Sequence, residues 1–245
     1  MKDNIRVAVV TGASSGIGRA IAEALVVHGY RVTLMARRSD RMEAVASSNA
    51  GATLVAPVDV RNEQKLIRAF EVSQEHWGRL DVLINAAGLA HESSLTDGST
   101  DEWREMLEVN VLALAVASRE ALRRFDREKG GHIVHMSSMS GHRVTRRGAM
   151  YTATKFAVRS MAESLRCELR DSGNPTRVSC VSPGFVDTEF FETYFKGDQE
   201  KIQRVRTGQR ILTPEDVAAS VVHILEAPEH VEIHDVLMRS NEQLS

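Results

Sequence analysis

The chain has 245 residues, 42% of them apolar, 26% charged and 5% aromatic, with a formal net charge of −2. Those values are ordinary for a globular protein of one or two domains whose core buries roughly 70–75% of the unfolded surface, and they exclude collagen-like or wholly disordered chains. Near-neutral charge provides no basic field for nucleic acid or anionic lipid, no run of about 18 apolar residues spans a membrane, and two cysteines, Cys167 and Cys180, are too few for a disulfide scaffold. Met1–Asn4 leads straight into an apolar run, leaving no room for a signal peptide, so the expectation is a cytoplasmic protein.

Apolar runs alternate with longer amphipathic stretches. Strands are predicted at Ile5–Thr11, Arg31–Met35, Thr53–Ala56, Asp81–Ile84, His132–Ser137, Arg177–Val181 and Val231–Met238, and helices at 16–28, 39–49, 62–76, 99–125, 149–172 and 213–226. The strands are short, continuous and rich in Val, Ile and Leu, as in a parallel sheet covered on both faces. Ser39 marks one helix start; Thr213-Pro214-Glu215-Asp216 marks another, as an N-cap followed by Pro and acids in the first turn. The alternation predicts an α/β fold, a Rossmann-type doubly wound parallel sheet of about seven strands with right-handed crossovers. Asp126–Gly131 is the most polar break, but a strand resumes at once, so it reads as a surface loop. Residues 185–210 exceed what a connection needs, which predicts one domain over 1–245 with an inserted flap.

The first strand ends in Thr11-Gly12-Ala13-Ser14-Ser15-Gly16-Ile17-Gly18 and a helix follows. Glycines let a backbone turn tightly against a pyrophosphate, whose charge the helix N-terminus stabilises, so Gly12, Ser14, Ser15, Gly16 and Ile17 are candidate cofactor contacts. The alternative is a glycine turn needed only for folding. No Lys-Ser/Thr follows, which excludes a P-loop nucleotidase. The second strand ends Met35-Ala36-Arg37-Arg38, with no carboxylate to accept a ribose diol. Two guanidinium groups where a 2′-phosphate would lie predict NADP(H) over NAD(H), unless the pair merely solvates a loop.

Tyr151 and Lys155 are four residues apart on a predicted helix and share a face. A phenol has an ordinary pKa near 10, and a cation within a few Å lowers it, which would let Tyr151 act as a general acid or base. Alone, the pair could be a surface pair. Ser138, however, closes the loop after the fifth strand, Asn85-Ala86-Ala87-Gly88 follows the fourth, Asn110 lies in the long helical stretch, and Pro183-Gly184 follows the sixth. Together these motifs, in order and spacing, resemble the short-chain dehydrogenase/reductase family in its compact form.

The resemblance implies a tetrad of Asn110, Ser138, Tyr151 and Lys155. Tyr151 would exchange the proton, Ser138 would position the substrate oxygen, Lys155 would lower the Tyr151 pKa and bind the nicotinamide ribose, and Asn110 would hold a water joining Lys155 to solvent. It further implies that Asp59 and Val60 meet the adenine, that Asn85 and Ala86 pass beside its ribose, and that Val186 and Thr188 meet the nicotinamide carboxamide. No metal is needed. Ala86 departs from the family's usual Asn-Asn-Ala-Gly, losing one hydrogen bond to the scaffold. The ending Val231–Arg239 lacks Asp-Gly-Gly and looks more like the NADP-dependent branch of broad-specificity carbonyl, 17β-hydroxysteroid and clavulanate-type reductases. The family's long helices at 99–125 and 149–172 pack between subunits, which implies a homodimer or homotetramer.

Five of the twelve aromatics, Phe185, Phe190, Phe191, Tyr194 and Phe195, fall inside eleven residues of the flap, as a lid over the ligand or as packing of the flap itself. His142, Arg143, Arg146 and Arg147 rim the site, for an anionic substrate or simply as a solvated loop. The nine histidines form no metal set, and the two cysteines read as buried apolar residues. The expected activity is hydride transfer between NADP(H) and a carbonyl or alcohol; a catalytically silent sensor and an isomerase or dehydratase are the rival readings.

Overall fold

Seven apolar runs become β1 (Val7–Thr11), β2 (Arg31–Ala36), β3 (Thr53–Pro57), β4 (Val82–Asn85), β5 (His132–Met136), β6 (Arg177–Pro183) and β7 (Asp235–Met238) in the computed structural model, which describes residues 5–144 and 148–243. They form one sheet in the order β3-β2-β1-β4-β5-β6-β7, and every pairing is parallel. The helices are α1 (Gly16–Val27), α2 (Ser39–Ser47), α3 (Glu63–Trp77), α4 (Thr100–Leu107), α5 (Ala113–Leu122), α6 (Ala149–Asp171), α7 (Phe190–Tyr194), α8 (Gln199–Thr207) and α9 (Pro214–Glu226).

β1 shows why its sequence is apolar without alternation. Ala8 and Val10 pack with Ile21 and Leu25 of α1 and Val221 and Leu225 of α9, whereas Val7 and Val9 pack with Leu66 and Phe70 of α3 and Ala117 and Ala121 of α5. Both faces are therefore covered, and each large side chain so buried contributes about 1.5–3 kcal/mol. The strand order reverses between β1 and β4, and the carboxyl ends of those two strands open the crevice in which folds of this class bind ligands.

Three expectations change. The helix predicted over 99–125 is broken: a π turn over Glu108–Leu112 separates α4 from α5 and inserts one extra residue at Asn110. The last strand begins at Asp235 rather than Val231, because the Glu232 side chain accepts the Val178 N–H at 2.7 Å and stands in for a ladder bond. Ser39 is the first residue of α2 and not its cap, a position held by Arg38. Thr213 does cap α9: its hydroxyl accepts the Asp216 N–H at 3.2 Å while the Asp216 carboxylate accepts the Thr213 N–H at 2.8 Å. Residues 185–210 carry α7 and α8, and their base is fixed where Leu212 donates to the Phe185 carbonyl and accepts from Asp187. Among the described residues no helix is long and apolar enough to cross a membrane.

Candidate active site

The turn after β1 is held by close backbone approach. Gly12 has φ of 72°, and a Cβ on Gly18 would overlap the Gly12 carbonyl, so neither position admits a side chain. Thr11 Oγ1 accepts the N–H groups of Ala86 and Ala87, each at 3.1 Å, which ties the turn after β1 to the turn after β4. That tether supplies scaffold bonding at the site where Ala86 lacks a polar side chain. The first turn of α1 contains no acidic residue, so the positive end of this helix stays unneutralised at the switch point and suits a phosphate. Thr188 packs against Gly16: a Cβ there would lie 3.0 Å from the Thr188 methyl carbon. The flap thus begins on the glycine turn, with Val186 buried behind it.

The two arginines at the tip of β2 diverge. Arg37 lines an open hollow of about 520 Å³ with Pro57, Val58, Asp59, Arg61 and Lys65. Arg38 turns toward the glycine loop, donating to Ser15 Oγ at 2.6 Å and to Ser14 Oγ at 3.2 Å, and to the Glu189 carboxylate at 2.9 Å. Asp59 is gripped by Arg61 at 2.6 Å, and the hydrogen bonds from that guanidinium hold its carboxyl below the usual range. Val60 borders a buried nook with Thr11, Asn85 and Val109. The Asn85 side chain points into the core, donating to Ser118 Oγ and bonding His135 Nδ1, each at 3.1 Å, so only its backbone can border the crevice. Ala86 lies beside it in the same turn. Glycine turn, free helix end, hydroxyls and arginines together fit a dinucleotide with an additional phosphate.

The four residues of the expected tetrad converge. Lys155, buried on α6, donates to the Met136 carbonyl at 2.8 Å, and its ammonium lies 5.7 Å from the centre of the Tyr151 ring. Asn110 is fixed by the π turn: its carboxamide accepts from Leu89 N at 2.9 Å and donates to Leu89 O at 2.8 Å and to Thr154 Oγ1 at 3.1 Å. A Cβ on Gly88 would lie 3.4 Å from Asn110 Oδ1 and 3.7 Å from Lys155 Nζ, so both groups face Gly88. Ser138 accepts the Ser140 N–H at 3.1 Å and hydrogen-bonds the Tyr151 phenol.

The electrostatics differ from the simple expectation. Burial pushes Tyr151 up to about 12, and the Ser138 hydrogen bond pulls it down only in part. Burial also pushes Lys155 down to about 8. In the protein alone, desolvation outweighs any lowering of the phenol by the lysine. Phe190 of α7 lies 5.6 Å from the Tyr151 ring, while Phe191 is buried against Phe185 and Phe195. The aromatic cluster packs the flap through Phe191, and its Phe190 ring lies against Tyr151.

Sequence reasoning overlooked a brace beneath the Ser138 loop. His142 Nε2 lies 3.1 Å from both Ser182 Oγ and the Asp235 carboxylate, Ser182 donates to Asp235 at 2.8 Å, and Arg159 joins Asp235 to the Gly141 carbonyl. It also overlooked Thr11 as a tether and the grip of Arg38 and Arg41 on Glu189. Thr11 alone had a local signal, its place directly before Gly12. His142 belongs to this brace; Arg146 and Arg147 lie outside the described residues. Among the described residues no three His, Cys, Asp or Glu side chains gather as a metal site requires.

A glycine turn at the carboxyl end of a seven-stranded parallel sheet, with Tyr151 and Lys155 at the same end, defines a Rossmann-type fold. The family described as short chain dehydrogenase matches residues 6–199, and the chain belongs to the short-chain dehydrogenase/reductase family. It is 41% identical over 249 aligned residues to dehydrogenase/reductase SDR family member 11 of Bos taurus, covering 98% of each chain. Among solved structures it resembles the closed form of a serine dehydrogenase complexed with NADP+, with a TM-score of 0.93, 31% identity and coverage of 98% of this chain and 96% of that one. It also resembles an alcohol dehydrogenase from the archaeon Thermococcus sibiricus complexed with 5-hydroxy-NADP, with a TM-score of 0.87, 30% identity and coverage of 99% of each chain.

Proposed function

We propose that the chain transfers hydride between NADP(H) and a carbonyl or secondary alcohol, with Tyr151 as the general acid in reduction and the general base in oxidation. The observation that carries this reading is the convergence of Asn110, Ser138, Tyr151 and Lys155 at the crevice mouth under Phe190. The bound dinucleotide supplies the hydride; the chain supplies position and protons.

Ser138, already bonded to the tyrosine, orients the substrate oxygen against the phenol. Tyr151 keeps its proton at neutral pH because burial holds its pKa at about 12, and that suits donation to the oxygen of a carbonyl as negative charge develops there. Lys155 remains largely an ammonium at pH 7 and stabilises the phenolate left behind. Asn110 holds the π turn against Leu89 and, with Lys155, returns the proton from solvent. Reduction is the working direction expected of an NADPH-linked enzyme of this family.

NADP(H) is favoured by Arg37, Arg61 and Lys65 at the hollow, by Arg38 on the loop serines, and by relatives whose structures carry NADP+ and 5-hydroxy-NADP. Residues 185–210 form the substrate flap, and their aromatic roof selects an apolar group beside the reacting carbon. Exposed Leu107, Leu112 and Phe156 on α4, the π turn and α6 form the face on which a homodimer or homotetramer is built. Of the two cysteines, both expected to be buried, Cys180 is buried and Cys167 is exposed on α6; both are free thiols, which fits a cytoplasmic setting.

The test is NADPH oxidation with a panel of aldehydes and ketones. Turnover is expected on some members of the panel, with Tyr151→Phe reducing kcat about 10²–10⁴-fold while nucleotide still binds. Nucleotide binding without turnover on any substrate would establish the silent sensor instead. Product formation without net cofactor oxidation would establish the isomerase or dehydratase.

A further inference from the structure

Glu189 stands at the start of the flap, 151 residues along the chain from Arg38, with its two carboxylate oxygens held by separate arginines. Oε2 accepts from Arg38 at 2.9 Å and Oε1 from Arg41 at 2.6 Å. Arg38 is the same guanidinium that donates to Ser14 and Ser15 of the glycine loop. Hydrogen bonds from Arg38 and then Arg41 hold the Glu189 carboxyl below the usual carboxylate range, so it is an anion at neutral pH. The chain therefore places its own anion on an arginine fork that faces the phosphate-binding turn. A guanidinium has a fixed set of donors, and forks committed to a carboxylate are not available to a phosphate.

We propose that Glu189 is a specificity-determining residue that acts as an internal competitor of the cofactor's 2′-phosphate. This inference rests on the NADP(H) reading above. With the flap docked, Glu189 occupies Nη1 of Arg38 and Nη1 of Arg41, while Ser14 and Ser15 take Nε and Nη2 of Arg38. A 2′-phosphate entering beside Arg37 takes those donors and repels the carboxylate, and Glu189 leaves. Binding of the 2′-phosphate and docking of the flap through Glu189 thus oppose each other, and by linkage each weakens the other by the same factor. A nucleotide without the 2′-phosphate leaves the cluster intact and does not sense Glu189. Arg38, Arg41 and Glu189 keep 42%, 42% and 53% of their side-chain surface exposed, so the competition is modest in size and screened by salt.

The test compares adenosine 2′,5′-bisphosphate with 5′-AMP by calorimetry on the full chain, for the wild type, Glu189→Gln and Glu192→Gln. Glu192 lies on the same flap but pairs with Arg206 and Gln199, so its substitution removes the same charge without touching Arg38. Glu189→Gln is expected to tighten the bisphosphate about fivefold at low salt, to leave 5′-AMP within about twofold, and to lose most of that gain at high salt. Glu192→Gln is expected to change neither. In the wild type, the bisphosphate is also expected to speed tryptic cleavage within 196–206, which 5′-AMP does not. A wild-type preference for the bisphosphate that Glu189→Gln leaves unchanged, or that Glu192→Gln alters equally, would overturn this inference alone. Equal binding of the two nucleotides by the wild type would overturn the NADP(H) reading and this inference with it.

Discussion

The quartet of Asn110, Ser138, Tyr151 and Lys155 and the flap of residues 185–210 are held by different forces. Lys155 and Asn110 are fixed by buried hydrogen bonds to backbone groups of Met136 and Leu89, where low polarity strengthens each bond and salt does not reach. The flap is held mainly at its surface, by Lys201 on Glu92 at 2.6 Å, Lys196 on Glu102 at 2.6 Å, and the arginines on Glu189. Among its described residues, Val186, Phe191 and Ile202 anchor it by burial. Proton transfer needs groups that do not move; substrate entry needs an element that does. On the proposed function, the separation of forces serves both needs.

The buried side of this comparison breaks most severely at Lys155. Its charge is present below about 8 and lost above it, so kcat/KM for reduction is expected to fall as pH rises through about 8. Lys155→Met is expected to lower kcat about 10²–10⁴-fold at pH 7. Lys155→Arg, which stays charged, should retain part of the activity and shift the fall to higher pH. A profile that stays flat through pH 8 in the wild type would show that the ammonium charge plays no part in the rate.

A second buried feature separates the sheet from the flap by pH rather than by chemistry. His132 and His135 on β5 are enclosed, and burial pushes both down to about 3. Their folded-state pKa lies below the unfolded value of about 6.5, so both stay neutral in the native state while the unfolded chain takes up protons. Stability is therefore expected to fall as pH drops from 6.5 toward 3. Two such groups together cost about 3 kcal/mol between pH 6.5 and 5. Urea unfolding at those two pH values measures it, and His132→Asn or His135→Asn should each remove about half of the slope. An unchanged slope in both variants would place the acid sensitivity elsewhere.

The same division governs what could be read from the sequence. β1 and its glycine turn were legible because burial on both faces and a tight turn leave local marks: a continuous Val7–Val10 run, then glycines at set spacing. Tyr151 and Lys155 were legible because four residues is one helical turn. The π turn was not, since one extra residue between α4 and α5 shifts the apolar phase without interrupting it. Nor was the start of β7, where a Glu232 side chain replaces a backbone donor–acceptor pair. Arg37 and Arg38 were read as a pair, but their divergence depends on Glu189, far along the chain, and adjacent identical residues carry no sign of it. Local periodicity reports elements; the partners of surface charges are set by tertiary placement.

The flap side gives the smallest expected effect and the sharpest contrast. Each of these ion pairs joins an exposed lysine to a mostly buried carboxylate and contributes on the order of 1 kcal/mol, which is about a fivefold change in the open population. Glu92→Gln removes the charge facing Lys201 and Glu102→Gln the charge facing Lys196, and neither touches the quartet. Each is expected to raise tryptic cleavage within 196–206 by about two- to fivefold, with urea midpoints nearly unchanged, because the sheet keeps its buried contacts. Raising the salt concentration should bring the wild type toward the variants, since it screens exposed pairs. If salt accelerates cleavage equally in wild type and variants, or if the midpoints fall together with flap protection, the flap is held by its buried aromatics and opens only with the domain.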